Sequence, residues 1–468
     1  MDHTLNKKGN GLALVPFVVF IATYLGAGLY YTMMGVEMAF YQFPIIAALF
    51  IGLLLAFCMG KGTINEKFRV FAKGAANEDV LTMLVIYMLA GAFASIAAAM
   101  GGRDATVNLG LSLIPVQFLA AGLFIISAFM GTATGTSMGT ISAIIPIAIG
   151  AAGKAGLNIP LVAGAVIGGA MFGDNLSMIS DTTIAATRSQ GCEMKDKFRV
   201  NGLMALPAAV LTVIMLLIFG QPEVTPVLEN LDYTIIKVVP YLAVLVLALI
   251  GMNVFLVLTL GILIAGAIGM ATGDLTIAGV AQNFYSGICG MDETFYLTLM
   301  MGGLAEMVAH NGGIAWLIEK LRGMMKSNKS AQVGIAALVS LADCAVANNT
   351  VAIIVSGSVA KDISHEYKVD PRRTASLLDV FSCVFQGIIP YSAQPLTAAA
   401  LTAAMGYVVS PVDIIPCIWY CGFLAIFGIL SIFVPFADGV CRKNPWNWEY
   451  DCAESNVAAK KAAMEMDV

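Results

Sequence analysis

Long apolar runs dominate the chain. Residues 11–33, 43–60, 80–100, 203–220, 235–251, 252–272 and 412–436 are almost wholly apolar. At about 1.5 Å per helical residue each is long enough to cross the ~30 Å hydrocarbon layer of a bilayer. The intervening stretches are short and leave no room for a sizeable soluble domain. The first run follows Lys7 and Lys8, yet it exceeds a signal-peptide core and lacks a small-residue cleavage site, so it reads as the first spanning helix. Polar residues interrupt the pattern in four places: GTATGTSMGT (131–140), FGDNLSMISDTT (172–183), LADCAVANNT (341–350) and FQGIIPYSAQP (385–395).

Composition agrees with the pattern. Of 468 residues, 59% are hydrophobic and 12% charged, with a mean hydropathy of +0.85, whereas soluble domains are about a quarter charged. The fold expected is an all-α polytopic membrane protein with about 12–14 membrane segments. The nine cysteines form neither a CxxC pair nor a Cys/His cluster, and Cys417 and Cys421, one turn apart in an apolar run, read as packing residues. No resident cofactor, structural metal or nucleic-acid partner is expected. GTSMG (135–139) fits G-x-S-x-G, but the strand and the later acid and histidine of a hydrolase are missing, and the chain is not expected to be an enzyme.

The basic residues give a topology. All but Arg103, Lys154 and Lys237 of the 25 Lys and Arg lie in 1–10, 61–79, 188–202, 320–330, 361–375 and 437–468. The positive-inside rule makes these segments, and both termini, cytoplasmic. Segments 34–42, 101–111, 151–157, 221–237 and 273–293 are then external. The alternation closes only if 112–150 is a hairpin from the outside and 331–360 a hairpin from the inside.

The halves also match each other. GAFASIAAAMGG (91–102) aligns without gaps on GGLAEMVAHNGG (302–313), TISAIIP (140–146) on TVAIIVS (350–356), FGDNLSMISDTTIAA (172–186) on FQGIIPYSAQPLTAA (385–399), and VPF (15–17) on VPY (239–241). With the two hairpins approaching from opposite sides, this predicts two inverted repeats. Each would hold two helices, a third helix, a hairpin, a broken helix and a closing helix. The expected divisions are 1–202, the first repeat through its broken helix; 203–234, a closing helix and external linker; 235–436, the second repeat; and 437–468, a cytoplasmic tail. Inverted repeats with paired discontinuous helices are the architecture of secondary transporters, whose site lies near the bilayer midplane. Channels and membrane enzymes need no such arrangement.

The breaks carry the chemistry. Glycine releases backbone groups from the helical ladder, and in hydrocarbon these must be buried in protein or line a wet cavity. Asp174, Asp181, Glu306 and Asp343 fall at membrane depth, with no Lys or Arg expected beside them. An ionised carboxylate there costs at least ~2.5–3.5 kcal/mol, so each must be protonated or must face a small cation. Na⁺, like other hard cations, takes oxygen ligands, and FGDNLSMISDTT supplies carboxylate, amide, hydroxyl and carbonyl oxygens. A carboxylate that holds H⁺ or Na⁺, but not both, is an exchanger. Simpler readings remain: Asp174 or Asp181 as an N-cap, and Glu306 hydrogen-bonded to His310 one turn on. Asp379 and Glu37 read as hydrated interface residues, and His310 as the one histidine able to carry a proton in the membrane.

GDNLSMISDTT, the preceding GTSMGTISAIIPIA and the later LADCAVANNTVAIIVSGSVAKDI resemble the NhaC-type sodium/proton antiporter family, in which G-D-x-x-S-x-x-S-D-T-T follows a glycine/threonine-rich hairpin. The resemblance covers roughly residues 10–435. It implies a first-half site of Asp174, Ser177, Ser180, Asp181, Thr182 and Thr183, a second-half partner of Asp343, Asn348 and Asn349, and an assembly that is often a homodimer. The function expected is exchange of cytoplasmic Na⁺, and of Li⁺, for external H⁺ in a prokaryotic inner membrane. Asp174 and Asp181 would bind Na⁺ and H⁺ in competition. Asn175, Ser177, Thr182, Gln394 and the hairpin tips Thr136, Ser137, Asn348 and Asn349 would complete the shell, with Asp343 and Glu306 sharing the proton load. Proteins that look like this family also include exchangers of organic and amino acids. Such an anion often calls for a buried Arg, and none is expected within the spans.

Overall fold

The computed structural model describes residues 9–448 other than 37–38, 40–41, 60, 114, 178–179, 223–231 and 251. Lys7, Lys8, His3, Glu37 and the tail beyond residue 448 lie outside the described residues. Among the described residues all regular structure is helical. The first half runs α1 (Val15–Met33), α2 (Ile45–Met59), α3 (Ile64–Ala75), α4 (Glu78–Ala99), α5 (Gly102–Leu113), α6 (Leu119–Thr134), α7 (Ser137–Ala155), α8 (Ile159–Leu176), α9 (Asp181–Gln190) and α10 (Met194–Phe219). The second runs α11 (Ile235–Leu249), α12 (Val254–Ala271), α13 (Ile277–Cys289), α14 (Asp292–His310), α15 (Gly313–Arg322), α16 (Asn328–Val346), α17 (Asn349–Tyr367), α18 (Pro371–Ile388), α19 (Ala393–Ala404), α20 (Pro411–Ile414) and α21 (Trp419–Phe433).

Nine helical spans among the described residues are long and apolar enough to cross a membrane, ten if the bent pair α20–α21 forms one span, and two shorter apolar helices lie at Ile45–Met59 and Ile235–Leu247. Several segments taken for loops are helices instead. α3 and α13 fall within 61–79 and 273–293, and α5 covers most of 101–111 and runs on to Leu113. Their polar faces hide the helical period: INEKFRVFAKGA in α3 is amphipathic and starts with a Thr63/Glu66 capping box.

The element boundaries repeat. Both α7 and α17, and both α8 and α18, start and stop 212 residues apart, and Met171 and Cys383, themselves 212 apart, touch through Cys383 Sγ and the Met171 carbonyl at 3.6 Å. Cross-contacts are reciprocal: α9 packs on α17 and α19 on α7, while α3 packs on α14 and α13 on α4. The backbones of Gly74 and Gly302 meet, as do those of Gly91 and Gly287. Elements 212 residues apart thus make matching contacts in the two halves, and Met171 and Cys383 meet between them. The pairing of 172–186 with 385–399 is therefore out by one residue. Ser180 and Ser392 are both N-caps, so Asp174 corresponds to Gln386, Asp181 to Ala393 and Thr182 to Gln394. The apolar flanks fit either register, and the caps fit only one.

Both predicted hairpins form. α6 ends at Gly135 (φ 68°) and α16 at Ala347 (φ 51°), each left-handed. Thr136 then caps α7 through the Gly139 amide, and Asn348 caps α17 through the Val351 amide at 2.9 Å. A side chain at left-handed φ costs about 1–2 kcal/mol. Gly135→Ala should lower stability by about that much, whereas Ala347→Gly, which relieves strain but frees the unfolded chain, should gain at most about 1 kcal/mol. Thermal unfolding in detergent checks both. The broken helices sit at the centre: 83% of the apolar window is buried in both 159–190 and 371–404, against 33% in the first span.

Candidate functional site

Asp174 lies in the last turn of α8, which stops at Leu176, and α9 restarts at Asp181 behind the N-cap Ser180. The end of α8 turns the Asp174 side chain into a buried polar chain. The carboxylate accepts a hydrogen bond from Ser137 Oγ, the first residue of α7, at 2.9 Å, and one from Ser180 Oγ. With its proton so committed, Ser180 accepts from the Thr182 hydroxyl at 2.8 Å. Ser137 Oγ accepts from Gln394 Nε2 at 3.1 Å, and Gln394 Oε1 accepts from Gln386 Nε2 at 2.9 Å. Gln386 Nε2 also reaches the Ala347 carbonyl at 3.4 Å. One chain of bonds thus joins the first break, the first hairpin tip, the second break and the second hairpin tip.

A buried cation stands on the far side of the break, contrary to the expectation that no Lys or Arg is near. Lys197, on the first turn of α10, is fully buried. Its Nζ donates to the Asn175 carbonyl at 3.1 Å, to Thr183 Oγ1 at 2.7 Å and to Asp379 Oδ2 at 2.7 Å. Asn201 Nδ2 adds bonds to the same carbonyl at 3.2 Å and to Asp379 Oδ2 at 2.7 Å, and Ser376 Oγ donates to Asn201 Oδ1 at 2.6 Å. Asp379 is therefore buried and paired, not a hydrated interface residue. The basic-residue count placed Lys197 in a cytoplasmic loop because Lys195, Lys197 and Arg199 cluster. α10 begins at Met194, so the helix carries Lys197 inward while Arg199 stays exposed. Its signal was the Lys197/Asn201 pair, four residues apart on one helix face.

Arg372 and Arg373 are also buried, at the start of α18. Arg372 grips Asp370 at 2.9 and 2.6 Å, and Arg373 is held by Gln332 at 3.1 Å and by Ser431. Buried arginines therefore exist within the 371–404 span, engaged at its end.

The remaining candidates scatter. Thr183 Oγ1 donates to the Ser177 carbonyl at 2.9 Å, bracing the break. Asn175 Nδ2 points to Cys383 Sγ at 2.9 Å and Tyr420 OH at 3.4 Å. Asp181 is exposed, lining a cavity of about 330 Å³ with Thr82, Thr134, Thr136 and Asn253. Among the described residues no side chain hydrogen-bonds to both Asp174 and Asp181, and neither aspartate is an N-cap. Asn348 and Asn349 are buried, and Asn349 Oδ1 accepts from the Thr350 amide at 3.0 Å. Glu306 pairs with Lys73 at 2.6 Å, across the α3–α14 contact. That ion pair stands where an acid without a Lys or Arg beside it was expected, and His310 is exposed at the end of α14.

Asp343 is fully buried one turn before the second hairpin tip, and neither carboxylate oxygen has a hydrogen-bond partner among the described residues. A structural acid would be bonded. Asp343→Asn should therefore leave the melting temperature unchanged or raise it while lowering transport. A clear loss of stability without loss of transport is the contrary result, and the same preparation gives both readings.

Residues 7–221 match the Na⁺/H⁺ antiporter family. The chain is 26% identical to the malate-2H⁺/Na⁺-lactate antiporter of Bacillus subtilis (strain 168), over 90% of this chain and 95% of that one. It is 25% identical to the Na⁺/H⁺ antiporter NhaC of Bacillus subtilis (strain 168), over 77% and 84% respectively. It is 24% identical to the arginine/ornithine antiporter ArcD of Halobacterium salinarum (strain ATCC 700922 / JCM 11081 / NRC-1), over 82% and 84%. The chain, an integral membrane protein, is similar to the Na⁺/H⁺ antiporter family over residues 7–221, a little under half of its length.

Proposed function

We propose that the protein exchanges cytoplasmic Na⁺, and Li⁺, for external H⁺ by alternating access, with Asp174 as the carboxylate that holds either ion. The observation that carries this is the partner set of Asp174: Ser137 and Ser180, both neutral hydroxyls. Buried with no bonded cation of its own, the carboxylate is neutralised by a proton or by a small hard cation. Ser137, Ser180 and Thr182 stand beside it with the oxygen ligands Na⁺ prefers, and Gln394 holds Ser137 through its amide nitrogen. The bond chain ties this group to both hairpin tips, so a change of ion at Asp174 is felt by the elements that would open the site to either side. The distribution of Lys and Arg supports inverted halves with both termini in the cytoplasm of a prokaryotic cell.

A second reading, coupled exchange of organic or amino acids, draws on the names of two relatives that align over most of this chain. Against it, Lys197 is already paired to Asp379, and Arg372 to Asp370, which leaves neither cation free to bind a carboxylate substrate. Liposomes holding the protein, with an acidic interior and a trapped pH dye, separate the two. Dissipation of the gradient by external NaCl or LiCl alone supports Na⁺/H⁺ exchange. A response to Na⁺ only when malate, lactate or arginine is supplied supports the second reading.

A further inference from the structure

Lys197 and Asp379 lie outside the bond chain of Asp174 yet meet at the same break. We propose that Lys197 is a positioning residue for cation binding: with Asp379 as its counter-charge, it ties the end of α8 to the start of α9 so that Asp174 and Ser180 converge. The proposal rests on the reading of Asp174 as the ion-binding carboxylate.

Three bonds define the role. The Asn175 carbonyl belongs to the residue after Asp174, and Lys197 Nζ takes it at 3.1 Å. Thr183 is on the first turn of α9, three residues beyond Ser180, and Nζ takes its hydroxyl oxygen at 2.7 Å. The ammonium thus spans the break from its last α8 turn to its first α9 turn, and its third bond, to Asp379 Oδ2 at 2.7 Å, anchors both ends to α18 of the other half. Thr183 passes the constraint on by donating to the Ser177 carbonyl at 2.9 Å. Asn201 repeats the pattern, joining the Asn175 carbonyl and Asp379 with one amide.

A fully buried ion pair is not explained by stability, since apolar replacement of such a pair is often neutral or stabilising. Its placement explains it better. Position 409, which corresponds to Lys197 at the spacing of the helix boundaries, is a valine, and the second break is instead held by Ser392 Oγ, which bonds the Gln386 carbonyl at 2.6 Å. The charged brace is found at the break that carries the aspartate.

The test compares wild type with Lys197→Met/Asp379→Asn. This double variant removes both charges together, so no buried charge is stranded as it would be in Lys197→Met alone. In reconstituted protein the double variant should fold with a melting temperature near wild type. Its KM for Na⁺ should rise about 10–100-fold, the range for losing a group that orients metal ligands, with a smaller change in maximal rate. Hydrogen exchange at backbone amides of residues 174–184 should increase as well. An unchanged KM and unchanged exchange protection in a folded double variant would overturn the proposal and leave the pair structural. The exchange measurement does not depend on the transported ion. Should wild type prove inert to Na⁺ alone, the function proposed above fails, while loss of protection at 174–184 would still show that the pair positions the break.

Discussion

Asp174→Asn should abolish Na⁺-dependent proton movement, by at least about 100-fold, in a protein that still folds. The amide oxygen can accept from Ser137 as the carboxylate does, and asparagine has nearly the same volume, so packing around α8 is kept. Only the exchangeable charge is lost. An amide at this site neither binds H⁺ near neutral pH nor balances a Na⁺ ion, and one fixed state cannot couple two gradients. Asp181→Asn should do less. Asp181 is exposed on the cavity beside the first hairpin tip, where its carboxylate raises the local cation concentration without sharing the bonds of Asp174. It should raise the KM for Na⁺ several-fold and spare the maximal rate. The sequence ranked these two aspartates as equals, and the structure separates them.

Gly173→Val should unfold or severely destabilise the protein, by about 3 kcal/mol, the upper end of ordinary overpacking. At Gly173 the backbones of α6 and α8 touch: a Cβ there would meet the backbone of Gly131 at 2.5 Å and that of Thr132 closer still. On the facing helix, a Cβ at Gly131 would lie 2.8 Å from the Ala170 carbonyl. No rotamer change relieves a clash with main chain. The neighbour of Gly173 is Asp174, and α6 leads into the tip that carries Ser137, so any shift that admits the valine also parts the Ser137–Asp174 bond. Gly122→Val, in the same α6 but with open space around the added atom, is the control and should behave as wild type. Detergent melting curves and size-exclusion profiles of the two variants read the difference.

The plan of the molecule was legible in the sequence because its signals are local. Apolar runs marked the spans, and the polar stretches 131–140 and 341–350 marked the hairpin tips. Asp174 stood out as an acid in an oily setting. Three things were not legible. The short amphipathic helices α3, α5 and α13 carry enough polar residues to read as loops. Lys197 clusters with Lys195 and Arg199 in the chain, and only the phase of α10 turns it inward. Gln386, Ser376 and Asp379 act through bonds to residues roughly 40 to 180 positions away, such as Asn201 to Asp379, and no neighbour in sequence announces such partners. The one-residue error in aligning the two breaks has the same origin: TIAA and LTAA match well in the wrong register, and the shared N-caps Ser180 and Ser392 become decisive only once the helices are seen to start there.

The central claim is competition between Na⁺ and H⁺ at Asp174, and proton release tests it most directly. Purified protein in weakly buffered detergent solution, near the pH at which the carboxyl group is half protonated, is titrated with NaCl at constant ionic strength while pH is recorded. The account predicts saturable acidification by Na⁺, none by K⁺, and none by Na⁺ in Asp174→Asn. Sodium binding without proton release in wild type, or release that persists undiminished in Asp174→Asn, would contradict it.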